Sequence, residues 1–487
     1  MHYGNTGPEN GRRGISRRGF FHSVCDGLQG AALATLLGRD LYGATNEAPV
    51  RRAYDVTPKP PHFTPKAKAV IQCFMNGGPS HLDLFDPKPI LTKRAGESYL
   101  PHSLAAQLSD PAAVGGLWPS PFEFKQHGKS GLWVSSIMPH LAKQVDEIAM
   151  IRSMHTMHPN HEPALFMIHS GRTLPGRPGM GAWVVYGLGS ENQNLPAYVV
   201  LDDPLGLPNN GTQGWQSGFL PPIYQGTRLR SVGSPILNLK PEVEQPAEVV
   251  RLARDLVSRL DQIHKSERPG NLQLDARIAS YEMAARMQME ATDALDLAQE
   301  DPKLLEEYGV GEEPTDSYAR RCIMARRLVE RGVRYVQIFI NGSIWDHHDG
   351  LENGLQNCCA RTDKPVAALI KDLKQRGLMD STLLVWGGEF GRLAITQGRT
   401  TNVGRDHNPK GFSVWMAGAG VKKGIAYGET DEIGFEATEN PVSVTDWHAT
   451  ILHLLGLDYN KLTYDVKGLP EKLTSIYEPE IVQGILA

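Results

Sequence analysis

The sequence predicts an α/β fold around a largely parallel central sheet, and three observations predict it. From Ser317 onward, stretches with helical periodicity alternate with short runs of β-branched and aromatic residues, the order that crossover helices between parallel strands produce. The strand-like runs, such as "VRYVQIFI" (Val333 to Ile340), are apolar enough to be buried. Finally, 487 residues with 40% hydrophobic and 21% charged content suffice for a sizeable core in one large domain or a few smaller ones.

The elements follow in chain order. Near the N-terminus, "SRRGFFHS" (Ser16 to Ser23) sets an arginine pair before two phenylalanines and a short stretch of small apolar residues, "GLQGAALATLLG". That pattern looks like a twin-arginine export signal over residues 1–45, read by the export machinery rather than used as an anchor. It predicts a periplasmic or extracellular protein. The apolar stretch is too short for a stable membrane span. Residues 46–66, which run into "TPKPPHFTPKAK" (Thr57 to Lys68), read as a proline-rich extended linker. Residues 67–487 form the expected single α/β domain.

Within it the first strand is "AVIQCFM" (Ala69 to Met75). A helix and a strand are expected in "MPHLAKQVDEIAMIRS" (Met138 to Ser153), and another strand in "LPAYVVL" (Leu195 to Leu201). Residues 203–235, rich in Gly, Pro, Asn and Gln, read as a long irregular excursion. Residues 247–307 repeat apolar positions at three and four and read as a helical insertion. Then come helix "SYARRCIMARRLVERG", strand Val333 to Ile340, helix "KPVAALIKDLKQRG" from Lys364, strand "STLLVWGG", strand "FSVWMAG" and helix "VTDWHATILHLLGL" with Asp446 as its N-cap.

The formal net charge of −4 and the lack of a basic block beyond the N-terminal segment exclude nucleic acid as a partner. Five cysteines (Cys25, Cys73, Cys322, Cys358 and Cys359) match no zinc-ribbon or C-x-x-C spacing and call for no disulfide framework.

Ligands in open α/β sheets bind outside the carboxyl ends of the strands, and there the polar chemistry collects. The first strand runs into "NGGPSHLDLFD", with Ser80, His81 and Asp83. Val333 to Ile340 runs into "NGSIWDHHDG", with Asp346, His347 and His348. "STLLVWGG" runs into Glu389 and Arg392, and "GRDHNPKG" brings Asp406 and His407 just ahead of the next strand. Singly, each of these is an ordinary turn residue or helix cap. Together, carboxylates and imidazoles without thiolates suit a divalent cation such as zinc, manganese or calcium. Asp346 and His348 lead that group, followed by Asp83; Ser80, His81, His347 and Asp406 are weaker members, and the spacing fixes no ligand count. In "RSMHTMHPNHEPALFMIHSGR", His161 and Glu162 precede Pro163 at a helix start, so capping and packing compete there with function. His448, on the last helix, reads as a packing residue or a supporting neighbour of the site.

On "MNGGPSHLDLFDPKP", "NHEPALFMIHSGR", "GAWVVYGLGSENQNLPAYVVL", "WDHHDG", "WGGEFGR" and "DWHATILHLLGLD", the chain resembles an exported bacterial family, domain of unknown function 1501, placed beside sulfatases in the alkaline-phosphatase-like superfamily. The resemblance spans about Ala67 to Leu473. It implies a three-layer alkaline-phosphatase- or sulfatase-like core and a metal site in which Asp346 and His348 match the family's W-D-x-H. It also puts Glu389 and Phe390 where the superfamily carries Asp and His, so the ligand set it implies is Asp83, Asp346, His348, Glu389 and His407. Sulfatases carry C-x-P-S-R or S-x-P-S-R where this chain has "NHEPALFMIHSGR", so His161 falls at the nucleophile's place and formylglycine chemistry is not expected. The function implied is a metal-dependent hydrolase of phosphate or sulfate esters acting on a small-molecule or glycan ester, with His161 as base or nucleophile and Arg392 on the oxyanion. The competing expectation is a non-catalytic protein on the same fold that binds a metal or an anionic glycan.

Overall fold

The computed structural model describes residues 55–99, 114–230, 245–397 and 402–487. The export segment and the first part of the linker lie outside them. The chain divides into two compact units: residues 54–239 with 275–487, and a smaller one of residues 1–53 with 240–274. The described part of the smaller unit is built on the amphipathic helix Ala247–Ser266. The larger unit holds the central sheet and every described candidate site residue.

Strand β1 (Ala69–Phe74) is buried throughout. Its side chains alternate as the two-residue period of a strand dictates: Ala69, Ile71 and Cys73 enter one apolar core, Val70 and Phe74 another. Eight further strands complete the sheet: β2 (Ile148–His155), β3 (Tyr198–Leu201), β4 (Thr227–Leu229), β5 (Tyr335–Phe339), β6 (Thr382–Gly387), β7 (Phe412–Ala417), β8 (Ile425–Tyr427) and β9 (Val442–Ser443). Their spatial order is β8-β2-β7-β6-β1-β5-β3-β4, with β9 also on β2. β1 lies parallel between β5 and β6, Val70 opposite both Tyr335 and Leu383. β7 is antiparallel to both neighbours. Among the described residues no helix separates β6 from β7, so the chain lacks the crossover with which it would return parallel to β6.

Helices cover both faces. α1 (His161–Ser170), α2 (Met180–Leu188) and α5 (Val444–Leu454) place Leu165, Trp183 and Ile451 in the core under Val70. α3 (Asp316–Glu330) and α4 (Leu351–Gln375) place Ile323, Leu355 and Leu369 in the core under Ile71. The sheet is thus the middle of three layers. A separate three-stranded antiparallel sheet (Val114–Leu117, Gly391–Gln397 and Gly404–Asn408) sets Arg392 directly opposite His407.

The described cysteines, Cys73, Cys322, Cys358 and Cys359, are free and buried. No helix among the described residues is long and apolar enough to cross a membrane. Residues 55–66 form neither helix nor strand, yet they are not a free spacer: Lys59, His62 and Lys66 donate backbone N–H groups to the carbonyls of Leu188, Gly456 and Leu454.

Three local expectations change. α4 begins at Leu351, thirteen residues before the expected start at Lys364, and carries Pro365 in its interior. The helix expected from Met138 is two 3-10 turns, Leu141–Lys143 and Val145–Glu147. The N-cap of α5 is Ser443, not Asp446. Its hydroxyl accepts the Asp446 N–H at 3.1 Å while Asp446 Oδ2 accepts the Ser443 N–H at 2.8 Å, a reciprocal pair that satisfies two donors.

Candidate metal centre

Four donors from three chain segments meet at the rim of the sheet. Asp346 and His348 lie on the turn that leaves β5. The buried Trp345 pins that turn, packing edge-on against Trp386 and donating its backbone N–H to Asn76 O at 3.1 Å. The loop after β1 presses against the same turn. Gly77 has φ +115°, and a Cβ there would lie 2.6 Å from the Asp346 nitrogen, so only glycine permits the approach. His161 is the first residue of α1. His407 comes from the small sheet, opposite Arg392.

Donor atoms of His161, Asp346, His348 and His407 all lie within 4.8 Å of one another. His348 Nε2 is 2.9 Å and His407 Nε2 3.2 Å from Asp346 Oδ1. His161 Nε2 is 3.0 Å from Asp346 Oδ2. The other ring nitrogens fix the tautomers. His161 Nδ1 donates to Glu389 Oε1 at 2.7 Å, and His348 Nδ1 donates to Gln397 Oε1. The neutral forms of both rings therefore aim Nε2 lone pairs at a carboxylate. Such a cluster is electron-rich at its centre and calls for protons or a cation there, so the donor set fits a divalent metal.

The electrostatics agree. Burial opposes charge on His161, but its bonds to Asp346 and Glu389 outweigh that and push its pKa up to about 9. His348 is raised for a similar reason, through Asp346. His407, buried and beside Arg392, is pushed down to about 4. Burial would raise the Asp346 carboxyl, yet the three imidazoles and Arg392 hold it well below the usual carboxylate range.

Arg392 is 1% exposed. Its Nε donates to Gly78 O at 2.9 Å, Nη1 to Arg405 O at 3.1 Å, and Nη2 to Gly77 O and to Asp346 Oδ1 at 2.6 Å. The guanidinium is occupied with holding Asp346 and the loop after β1, so it does not project toward an incoming oxyanion as expected.

Glu389 and Asp83 stand outside the group of four. Glu389 lies behind His161, bonded to Nδ1 and, at 3.0 Å, to the Gly77 N–H. Asp83 is fully buried in a two-pronged pair with Arg405, at 2.8 and 3.2 Å, and accepts the Ser80 hydroxyl. The short helix His81–Leu84 carries it to that guanidinium, which takes both its oxygens.

His81 Nε2 is 2.9 Å from Gly434 O. The His347 ring packs on Gly354, and burial and Arg392 push it down to about 4. Asp406 accepts the His407 N–H at 2.7 Å and lies 3.8 Å from His348 Nδ1. His448 donates from Nε2 to Ile168 O at 2.8 Å, near the end of α1, which is a packing role. Gln397 and Gly77 were not anticipated. The "NGGP" stretch carried a signal for Gly77, while Gln397 carried none.

The fold and site together define an α/β protein with helices on both sheet faces and an imidazole-rich cluster able to hold a metal at the sheet's rim. More specifically, the chain belongs to the family described as protein of unknown function DUF1501, which matches residues 67–486. Among solved structures it is similar to the PsFucS1 sulfatase from Pseudoalteromonas sp. (12% identity, 88% of this chain and 71% of that one, TM-score 0.31). It is similar also to the phosphonate monoester hydrolase SpPMH from Silicibacter pomeroyi (11% identity, 80% and 73%, TM-score 0.33). A third is alkaline phosphatase from the Antarctic bacterium TAB5 (12% identity, 76% and 96%, TM-score 0.30). No curated protein matches in sequence.

Proposed function

We propose that the protein is an exported, metal-dependent hydrolase of phosphate or sulfate esters. The observation that carries this is the convergence of His161, Asp346, His348 and His407 within 4.8 Å. Three imidazoles with one carboxylate suit zinc or a similar nitrogen-preferring ion better than calcium, which takes oxygen ligands. A divalent cation held there supplies a Lewis acid for an ester oxyanion. Arg392 fixes the Asp346 carboxylate and offsets its charge, so a cation held beside it would keep more of its own charge, which favours a tetrahedral dianion over a neutral ester. Phe390, whose ring centroid is 4.4 Å from that of His407 and 4.9 Å from that of His161, forms an apolar wall that keeps water from one side.

One observation favours the other reading, a binding protein without turnover. Four protein donors are as many as a tetrahedral ion takes, the number found in closed, structural zinc sites.

The test is elemental analysis of the purified protein with aryl phosphate and aryl sulfate assays on wild type and Asp346→Ala. Turnover lost together with metal supports the hydrolase. Metal without turnover on either ester supports the binding protein, and turnover untouched by the substitution overturns the site. Export rests on Arg17 and Arg18; replacing both by lysine should retain the protein in the cytoplasm, and unchanged export would defeat that part.

A further inference from the structure

We propose that Glu389 is a positioning residue for the cation site, acting on the cation only through His161. This deepens the proposal above and rests on its reading of the four donors as a metal centre. Glu389 occupies the turn that leaves β6 and is fully buried. Its Oε1 accepts the His161 Nδ1 proton at 2.7 Å and the Gly77 N–H at 3.0 Å, while Oε2 is 3.2 Å from the same N–H. The carboxylate thus faces the side of the ring opposite the donor nitrogen. By accepting the Nδ1–H hydrogen bond it fixes the tautomer, turning the Nε2 lone pair toward Asp346, and its charge makes that nitrogen a better donor.

The Gly77 contact adds a second function. Gly77 abuts the Asp346 backbone, so one buried carboxylate sets the loop after β1 and the first residue of α1 in register. A direct ligand, the role expected from sequence alone, would place an oxygen among the four donors, and Glu389 places neither there.

A double-mutant cycle on the full chain separates the two roles. Metal-free wild type, Glu389→Gln, His161→Ala and the double variant are titrated calorimetrically with Zn²⁺, and melts of the metal-free proteins verify folding. The expected result is that Glu389→Gln weakens Zn²⁺ binding about 10- to 100-fold with unchanged stoichiometry. In the His161→Ala background it should add less than about a twofold loss, and Glu389→Asp should recover part of the affinity. An equal loss in both backgrounds overturns the proposal in favour of a direct ligand, and an unchanged affinity overturns it outright. Failure of wild type to take up Zn²⁺ defeats the metal reading itself. In that case histidine ¹⁵N spectra of the neutral ring still decide on Glu389: His161 must carry its proton on Nδ1 in wild type and lose that preference in Glu389→Gln, and an unchanged tautomer overturns the positioning role.

Discussion

His348 and His407 meet nitrogen to nitrogen, Nε2 to Nε2 at 2.9 Å, over the same oxygen of Asp346. With His348 Nδ1 donating to Gln397, that contact is satisfied by a proton on one Nε2 or by a cation between the two nitrogens. A cation held there, as proposed above, would replace that proton and tie the turn after β5 to the small sheet.

Cation binding should therefore stabilise the fold. A ligand that binds only the native state at a hundredfold excess over its Kd adds about 2.7 kcal/mol. Chelation should lower the melting temperature of wild type by several degrees and leave His348→Ala or His407→Ala unmoved. Equal chelator shifts in all three proteins would count against the cluster.

Asp83 and Arg405 give the complementary test, because both are fully buried and paired at 2.8 Å. Removing one partner strands the other charge in the core, which costs about 3–5 kcal/mol. Asp83→Ala should lower the urea midpoint markedly while the folded fraction still binds its full complement of metal. Loss of metal at unchanged stability would instead return Asp83 to the ligand set.

Gly77→Ala should damage both stability and metal affinity. The residue sits at φ +115°, and the added Cβ lands 2.6 Å from the Asp346 nitrogen, a backbone atom that cannot swing away. Backbone strain of this kind costs about 1–3 kcal/mol, and relieving it displaces Asp346 from His348 and His407. The measurements are a thermal melt and a Zn²⁺ titration; a variant equal to wild type in both would show that the turn is looser than this geometry requires.

The sheet and its flanking helices were legible because strand and helix periodicities are local signals. β1, β5, β6 and β7 fall where apolar runs placed them. The start of α4 was not legible: Pro365 resembles a helix boundary, and only tertiary packing of Leu351 and Leu355 shows that the helix begins earlier. At the site, a strand end pointed to Asp346 and His348, and the segment just ahead of β7 to His407. Which carboxylates would face the others and which would pair with arginine depends on contacts between residues hundreds of positions apart. Asp83 with Arg405 and Glu389 with His161 are such contacts, and no spacing rule separates them from ligands.

Acid should destabilise the fold through two buried imidazoles. His169 and His448 are wholly buried, and desolvation pushes their pKa values down to about 3 and about 4. His169 packs against the rings of Phe74 and Phe339 and accepts a hydrogen bond from Gln337 Nε2 at 3.2 Å, while His448 stands beside Trp447. Both rings stay neutral in the fold, whereas in the unfolded chain they take up protons below about pH 6.5. Their contribution is thus complete above that pH and is lost as pH falls from 6.5 through the folded-state values. For His448 the loss is roughly 3 kcal/mol, at about 1.4 kcal/mol per unit of pKa difference. Other groups titrate in the same window, so the informative quantity is the difference between wild type and His448→Gln, which keeps a donor for Ile168 O but cannot ionise. Urea midpoints at pH 7 and pH 4.5 should converge for the two proteins as pH falls, the variant starting lower and declining less. Parallel decline would mean that the His448 ring is already protonated, or reached by water, in the native fold.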